Sequence, residues 1–481
     1  MQLIDYSQTS TWNAAFVLGI IAVMVLAAIY LRRYKLFHKS LLPTAVLGGF
    51  LMLIVKLVGV KAGIFHTDHE AYIKFNNVLQ VLTYHGIAVG FIAMSLRTPS
   101  GDTKKGGHLV GPKSGAIIVS SYMIQGLVGL TISLVLSYTV MPKLFRASGI
   151  LLPMGYGQGP GQANNFGTTF EELGFAGGHS FGLAIAAAGY LSACIVGVIY
   201  LNYLSRKGRI KRGEYEPVAG SVTVDNPDEI TESTASESLD RLSLQLAIVM
   251  GIYLATSVLT RCLTEGIGAI SEGAKNAVGN ILWGFNFMVG SALAIAVRAI
   301  FRKRFEAKPK SLQKQDNYLL SRISGLAFDA MIVAGIGSIE LEQLAGLWVP
   351  FLLMAVAGAA VTFLHLRFVC RRVYSDYYNE GMLSMYGMMT GTISSGVILL
   401  REIDPQLKTP AANNLIIGSS YAILLGAILM VFVGMAPKSD VLTFVTFGLI
   451  LIYYIILMLF ICKAGRKAEK EPEKVAEETA E

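Results

Sequence analysis

The chain alternates long apolar blocks with short polar connections. Apolar runs occupy about 12–31, 41–60, 76–96, 114–139, 176–202, 243–262, 275–301, 318–340, 345–369, 411–435 and 440–462. Each supplies most of the ~20 residues that a helix needs to cross ~30 Å of hydrocarbon. The pattern predicts an all-α polytopic membrane protein of eleven spans. Between the fourth and fifth runs lies Met154-Gly155-Tyr156-Gly157-Gln158-Gly159-Pro160-Gly161-Gln162-Ala163-Asn164-Asn165, too polar and glycine-rich for a helix. Lipid offers no hydrogen-bond partner, so non-helical backbone survives at membrane depth only inside protein or beside water. This stretch is predicted to be the tip of a re-entrant hairpin.

The motif returns. Tyr156-Gly157-x-x-x-Gly161 matches Tyr386-Gly387-x-x-x-Gly391 at an offset of 230 residues, which also carries Glu172 onto Glu402 and Asn164-Asn165 onto Ser394-Ser395. The same offset sends the first span onto the sixth and the fourth onto the ninth. Five spans in the first half start the second half on the opposite side of the bilayer, so the repeat must be inverted. The expected architecture is two five-helix units, each with a re-entrant hairpin, followed by one extra C-terminal transmembrane helix. By residue, 1–205 forms the first repeat with its hairpin at about 141–173, and 206–242 is a flexible cytoplasmic linker. The second repeat is 243–436 with its hairpin at about 375–404, then come the extra span at 437–462 and a charged cytoplasmic tail at 463–481.

Charge sets the expected orientation. Arg32, Arg33, Lys35 and Lys39 follow the first span, Lys104, Lys105 and Lys113 the third, Arg206, Lys207, Arg209, Lys211 and Arg212 the fifth. Arg302, Lys303, Arg304, Lys308 and Lys310 mark another basic loop, whereas His66 to Glu70 and Glu340 to Glu342 do not. The positive-inside rule then places the N-terminus outside and the C-terminus in the cytoplasm. The net charge of +8 is accounted for by these loops rather than by nucleic acid, and a composition 53% hydrophobic and 15% charged excludes an ordinary soluble domain. Cys194, Cys262, Cys370 and Cys462 lie in or beside apolar runs without C-x-x-C spacing and read as packing residues. Met1 to Trp12 carries no basic n-region, so no cleavable signal is expected.

In each hairpin a helix is expected to start at the tip, after Gly391-Thr392 in one and near Gly161 in the other. A helix N-terminus exposes free N–H groups and about +0.5 of an elementary charge, which suits a carboxylate. Gln158, Gly159, Gly161, Gln162, Asn164, Asn165, Thr390, Gly391, Thr392, Ser394 and Ser395 are therefore candidate substrate-binding residues. The oxygens of Asn164, Asn165, Thr392 and Ser394 are candidate sodium ligands. Asp329, in mid-span where a charge costs at least ~3 kcal/mol, is a coupling-ion or proton site, or a satisfied structural hydrogen bond. For His85 the structural reading leads. Arg401 could hold a carboxylate through two parallel bonds, or join Glu402 and Asp404 in an interfacial ion cluster. Glu172 and Glu402 read as rim residues, and Lys56 as a snorkelling lysine.

These residues resemble the sodium/glutamate symporter family of bacterial inner membranes. The resemblance rests on Pro43-x-x-x-x-Gly48-Gly49, Gly157-x-Gly159-x-Gly161-x-Ala163, the Glu342 to Met382 segment with Pro350 and Tyr377, and the Gly387 to Thr392 loop, in that order. It covers about 12–435 and implies homodimers and sodium-coupled uptake of glutamate or a related anionic amino acid or carboxylate, by an elevator movement. Where the family usually has Gly-His-Gly-Thr-Gly this chain has Gly157-Gln158-Gly159-Pro160-Gly161, and the family has an apolar residue near Asp329. The last span is additional. No Gly-x-x-x-x-Gly-Lys-Ser/Thr motif for ATP is present, and no cluster of nucleophile, base and metal ligands points to an enzyme. A channel lined by the two loops is the alternative from another class. No cofactor is expected beyond sodium as the coupling ion.

Overall fold

The structure, a computed structural model, describes residues 9–34, 37, 40–97, 110–208, 235–270, 272, 275, 279, 282–284, 286–305, 316–405, 407 and 409–478. Among these there is no strand. The apolar runs become α1 (Thr9–Leu31), α2 (Thr44–Lys61), α3 (Glu70–Leu96), α4 (Val110–Tyr138), α7 (Gly178–Arg206), α8 (Ala235–Ile270), α9 (Asn286–Phe305), α10 (Asn317–Gly337), α11 (Trp348–Val373), α14 (Ala411–Met435) and α15 (Asp440–Glu478). Among the described residues nine helices are long and apolar enough to cross a membrane, and Ala15–Leu31 and Asn286–Ile300 are shorter apolar helices.

Among the described residues four short α-helices form two pairs between these: α5 (Leu151–Tyr156) with α6 (Pro160–Glu172), and α12 (Tyr378–Thr390) with α13 (Ile393–Arg401). At 1.5 Å per residue the longest of them reaches only ~20 Å, too short for the hydrocarbon. The expectation that Met154 to Asn165 is non-helical is corrected here. Met154 to Tyr156 ends α5 and Pro160 to Asn165 opens α6, so the break is confined to Gly157, Gln158 and Gly159.

The chain divides into two compact units. The first comprises Met1–Thr98, Pro160–Asn165 and Val218–Glu342, hence α1 to α3, the first turns of α6, and α8 to α10. Its packing centres on α3 and α10, which run antiparallel: Ser324 Oγ donates to the Gly90 carbonyl at 3.0 Å, and Gly86, earlier in α3, packs on Met331, later in α10. Ile92, Ala93 and Leu96 of α3 bury against Val249 and Ile252 of α8, Ala294 of α9, and Leu320 and Ile323 of α10. In lipid such contacts hold by close packing rather than by release of water. Lys56 does not snorkel. It is 5% exposed, and its ammonium donates to Asn76 Oδ1 at 2.6 Å and to the Gly337 carbonyl at 2.8 Å. Asn76 in turn donates to Glu340 Oε1 at 2.9 Å. One cation thus satisfies a carbonyl at the C-terminal end of α10.

The second unit comprises Pro99–Gly159, Phe166–Pro217 and Gln343–Glu481. Here α4 is the axis, and a polar ladder joins it antiparallel to α11. Tyr374 Oη donates to Ser114 Oγ at 2.7 Å, Ser120 Oγ lies 3.0 Å from His365 Nε2, and Gln125 Nε2 donates to Thr362 Oγ1 at 2.8 Å. The extra helix α15 belongs to this unit through Tyr454 to His365, Tyr453 to the Leu425 carbonyl, and an ion pair of Asp440 with Arg146.

Much of the expected cytoplasmic linker (209–234) and the basic residues Lys35, Lys39, Lys104, Lys105, Arg209, Lys211, Arg212, Lys308 and Lys310 lie outside the described residues. The ends of that linker are helical, with Arg206 closing α7 and Ala235 opening α8. The expected tail continues α15 as helix to Glu478. Cys194 and Cys370 are buried, whereas Cys262 is exposed.

Candidate functional site

In the second unit the first break begins where Gly157 closes α5, with its N–H on the Pro153 carbonyl at 3.0 Å. Gly159 then takes φ +87°, left-handed backbone that disfavours side chains, and Pro160 starts α6 at the position where a missing N–H matters least. The second break follows Thr390 at Gly391, and Thr392 is extended before α13 begins at Ile393. These breaks meet inside the second unit. A Cβ built on Gly159 would lie 3.7 Å from Thr392 Cγ2, 3.8 Å from the Gly391 carbonyl and 3.8 Å from Tyr190 Oη.

The polar atoms there are poorly satisfied. Thr392 Oγ1, Ser395 Oγ, Gln158 Nε2 and Gln125 Oε1 are buried with no hydrogen-bond partner among the described residues. Thr392 is the N-cap of α13, but its side chain makes no capping bond, so the cap expected from its residue type is absent and its hydroxyl remains available. Thr390 differs, because its hydroxyl bonds back to the Tyr386 carbonyl at 2.8 Å, and its own carbonyl packs against Gly189 of α7. Ser394 is partly exposed in the first turn of α13. Tyr156, the counterpart of Tyr386 in the motif, uses its hydroxyl on Ser192 at 2.9 Å and on the Ala355 carbonyl at 2.5 Å.

Gly161, Gln162, Asn164 and Asn165 group with the first unit. Gly161 packs on Ile87 and Met331. Gln162 is fully buried, and neither of its amide atoms has a partner among the described residues. Asn165 Nδ2 donates to the Gly284 carbonyl at 3.0 Å. In the same unit His85 is hydrogen-bonded to the Tyr253 hydroxyl, and Tyr84 donates to the Trp283 carbonyl at 2.8 Å. Asp329 sits on α10, and no hydrogen bond or ion pair to its carboxyl occurs among the described residues.

Arg401 is not brought to the tip. It ends α13, eight residues and ~12 Å of helix rise beyond Ile393. Nearby Asp404 accepts from both the N–H and the hydroxyl of Thr409, at 2.8 and 2.7 Å. Glu172 is exposed at the end of α6 remote from the break. Sequence reasoning missed Gln125, Thr362 and Tyr190. The available signal was an uncharged amide in the middle of an apolar span. A scan of the chain against protein-family models finds no match, and a search of curated proteins finds none of significance.

Proposed function

We propose that the chain is a secondary active transporter that carries glutamate, or a related anionic amino acid or carboxylate, together with sodium, by alternating access of the elevator type. The observation carrying this reading is Gly159 against Gly391 and Thr392, with buried hydroxyls and amides around them that lack partners among the described residues. A helix beginning at such a break offers N–H groups and partial positive charge to a carboxylate. A helix ending there offers carbonyls to a cation, the division of labour found at broken helices in secondary transporters.

The short pairs α5–α6 and α12–α13 are then re-entrant hairpins, since none of their helices can span the bilayer. The antiparallel pairing of α3 with α10, and of α4 with α11, supports an inverted repeat, because these are corresponding elements of the two halves. Each compact unit also draws corresponding helices from both halves. The protein would lie in the inner membrane as a homodimer, with its N-terminus outside and its C-terminus in the cytoplasm. Reconstitution into liposomes tests the reading. An inward sodium gradient should drive uptake of labelled glutamate or aspartate above the equilibrium level. Uptake indifferent to sodium and proton gradients, or steady single-channel currents, would reject it.

A further inference from the structure

We propose that Gln125 is a positioning residue that holds the two helix breaks in register before the solute arrives; this rests on the transport reading. Gln125 lies in the middle of α4 and is completely buried. Its Nε2 donates to Thr362 Oγ1 at 2.8 Å and to the Met389 carbonyl at 2.9 Å. Thr362 spends its own hydroxyl hydrogen on the Gly358 carbonyl at 2.7 Å, so it can only accept from Gln125. That arrangement dictates the amide's orientation, nitrogen toward α11 and α12, oxygen away.

Each end of the amide reaches a different break. Met389 belongs to the last turn of α12, whose carbonyls the helix itself leaves without partners, and it stands two residues before Gly391. On the other side, a Cβ built on Gly157 would lie 3.0 Å from Gln125 Oε1 and would collide with the Tyr122 ring. Gly157 is the residue that closes α5, and a side chain there would strike the Tyr122 ring and crowd the amide oxygen. Gln125 thus bonds the end of α12 beside its break, and its amide oxygen lies next to the residue that closes α5, with one rigid group spanning the two. Oε1 has no donor among the described residues. Helix packing alone would be served equally by an apolar side chain of similar length, which makes Gln125→Met the informative substitution.

Hydrogen exchange read by mass spectrometry on the purified full chain tests this without requiring transport. Gln125→Met should raise exchange by about ten-fold or more in peptides covering 154–159 and 387–393, while α4 and α11 peptides away from position 125 stay close to wild type. Thr362→Val leaves the Met389 bond in place and should keep 387–393 protected. In liposomes Gln125→Met should raise the half-saturating solute concentration by about ten-fold or more with a smaller change in maximal rate, whereas Thr362→Val should move it by less than about three-fold. Unchanged protection at both breaks in Gln125→Met, or loss of protection spread evenly along α4 and α11, would overturn the proposal. Wild-type protein that transports nothing would instead sink the transport reading, and the exchange comparison would still decide the positioning role.

Discussion

His365 Nε2 lies 3.0 Å from Ser120 Oγ, and the other ring nitrogen lies 3.3 Å from the hydroxyl of Tyr454. A single imidazole therefore joins α4, α11 and the extra helix α15 in the interior of the second unit. Removing the α15 side of this link by Tyr454→Phe should cost about 1 kcal/mol, the usual net worth of one hydrogen bond. Asp440→Asn, at a partly exposed ion pair with Arg146, should change stability by less than about 0.5 kcal/mol. Thermal unfolding of both variants in one detergent checks the order. A larger loss in Asp440→Asn would contradict it.

Lys56 makes two hydrogen bonds from a buried ammonium. Lys56→Met keeps the length of the stem but strands Asn76 Oδ1 and the Gly337 carbonyl, so a loss of about 2–3 kcal/mol is expected. The loss should show as a lower unfolding temperature of the purified protein. Full stability in Lys56→Met would mean that water or another donor replaces the ammonium.

Thr392 and Ser395 carry the opposite expectation. Their hydroxyls are buried without partners among the described residues, so Thr392→Val and Ser395→Ala remove a desolvated polar atom at no cost in the hydrogen bonds seen there. Stability should stay level or rise by up to about 1 kcal/mol, while solute or sodium affinity falls about ten-fold or more. Measuring melting and binding on the same preparation separates a binding role from a structural one. Lower melting with intact binding would assign the hydroxyls to the fold.

Asp329 has no hydrogen bond or ion pair among the described residues, so Asp329→Asn breaks no internal contact and should fold and express normally. The amide keeps the shape but cannot carry charge or exchange a proton. A role in coupling predicts an altered sodium or pH dependence of uptake. Unchanged dependence at normal expression would rule that role out.

The long helices were legible because twenty-residue apolar blocks leave little choice of conformation, and α1 to α4, α7 and α14 begin and end within several residues of their expected positions. The breaks were legible only as regions. Composition pointed to Met154 to Asn165 as a loop, whereas the backbone stays helical except at Gly157 to Gly159, because proline at the start of α6 and a buried environment restore the ladder. Lys56 was misread because snorkelling and internal bonding have the same sequence signature; the deciding partners, Asn76 and Gly337, lie 20 and 281 residues away. Gln125 was missed for the same reason, since its acceptors at Thr362 and Met389 are 237 and 264 residues distant.

The interleaving of the two units bears on biosynthesis. Ser324 meets Gly90 across 234 residues of chain, and at ~5–20 residues per second the earlier helix waits on the order of ten to fifty seconds for its mate. Neither unit can close until segments from the second half have left the ribosome. Through that interval the polar face of α4, with Ser114, Ser120 and Gln125, must be sheltered by something other than α11. The newborn first half therefore carries its least-packed polar surface until the second half has been made.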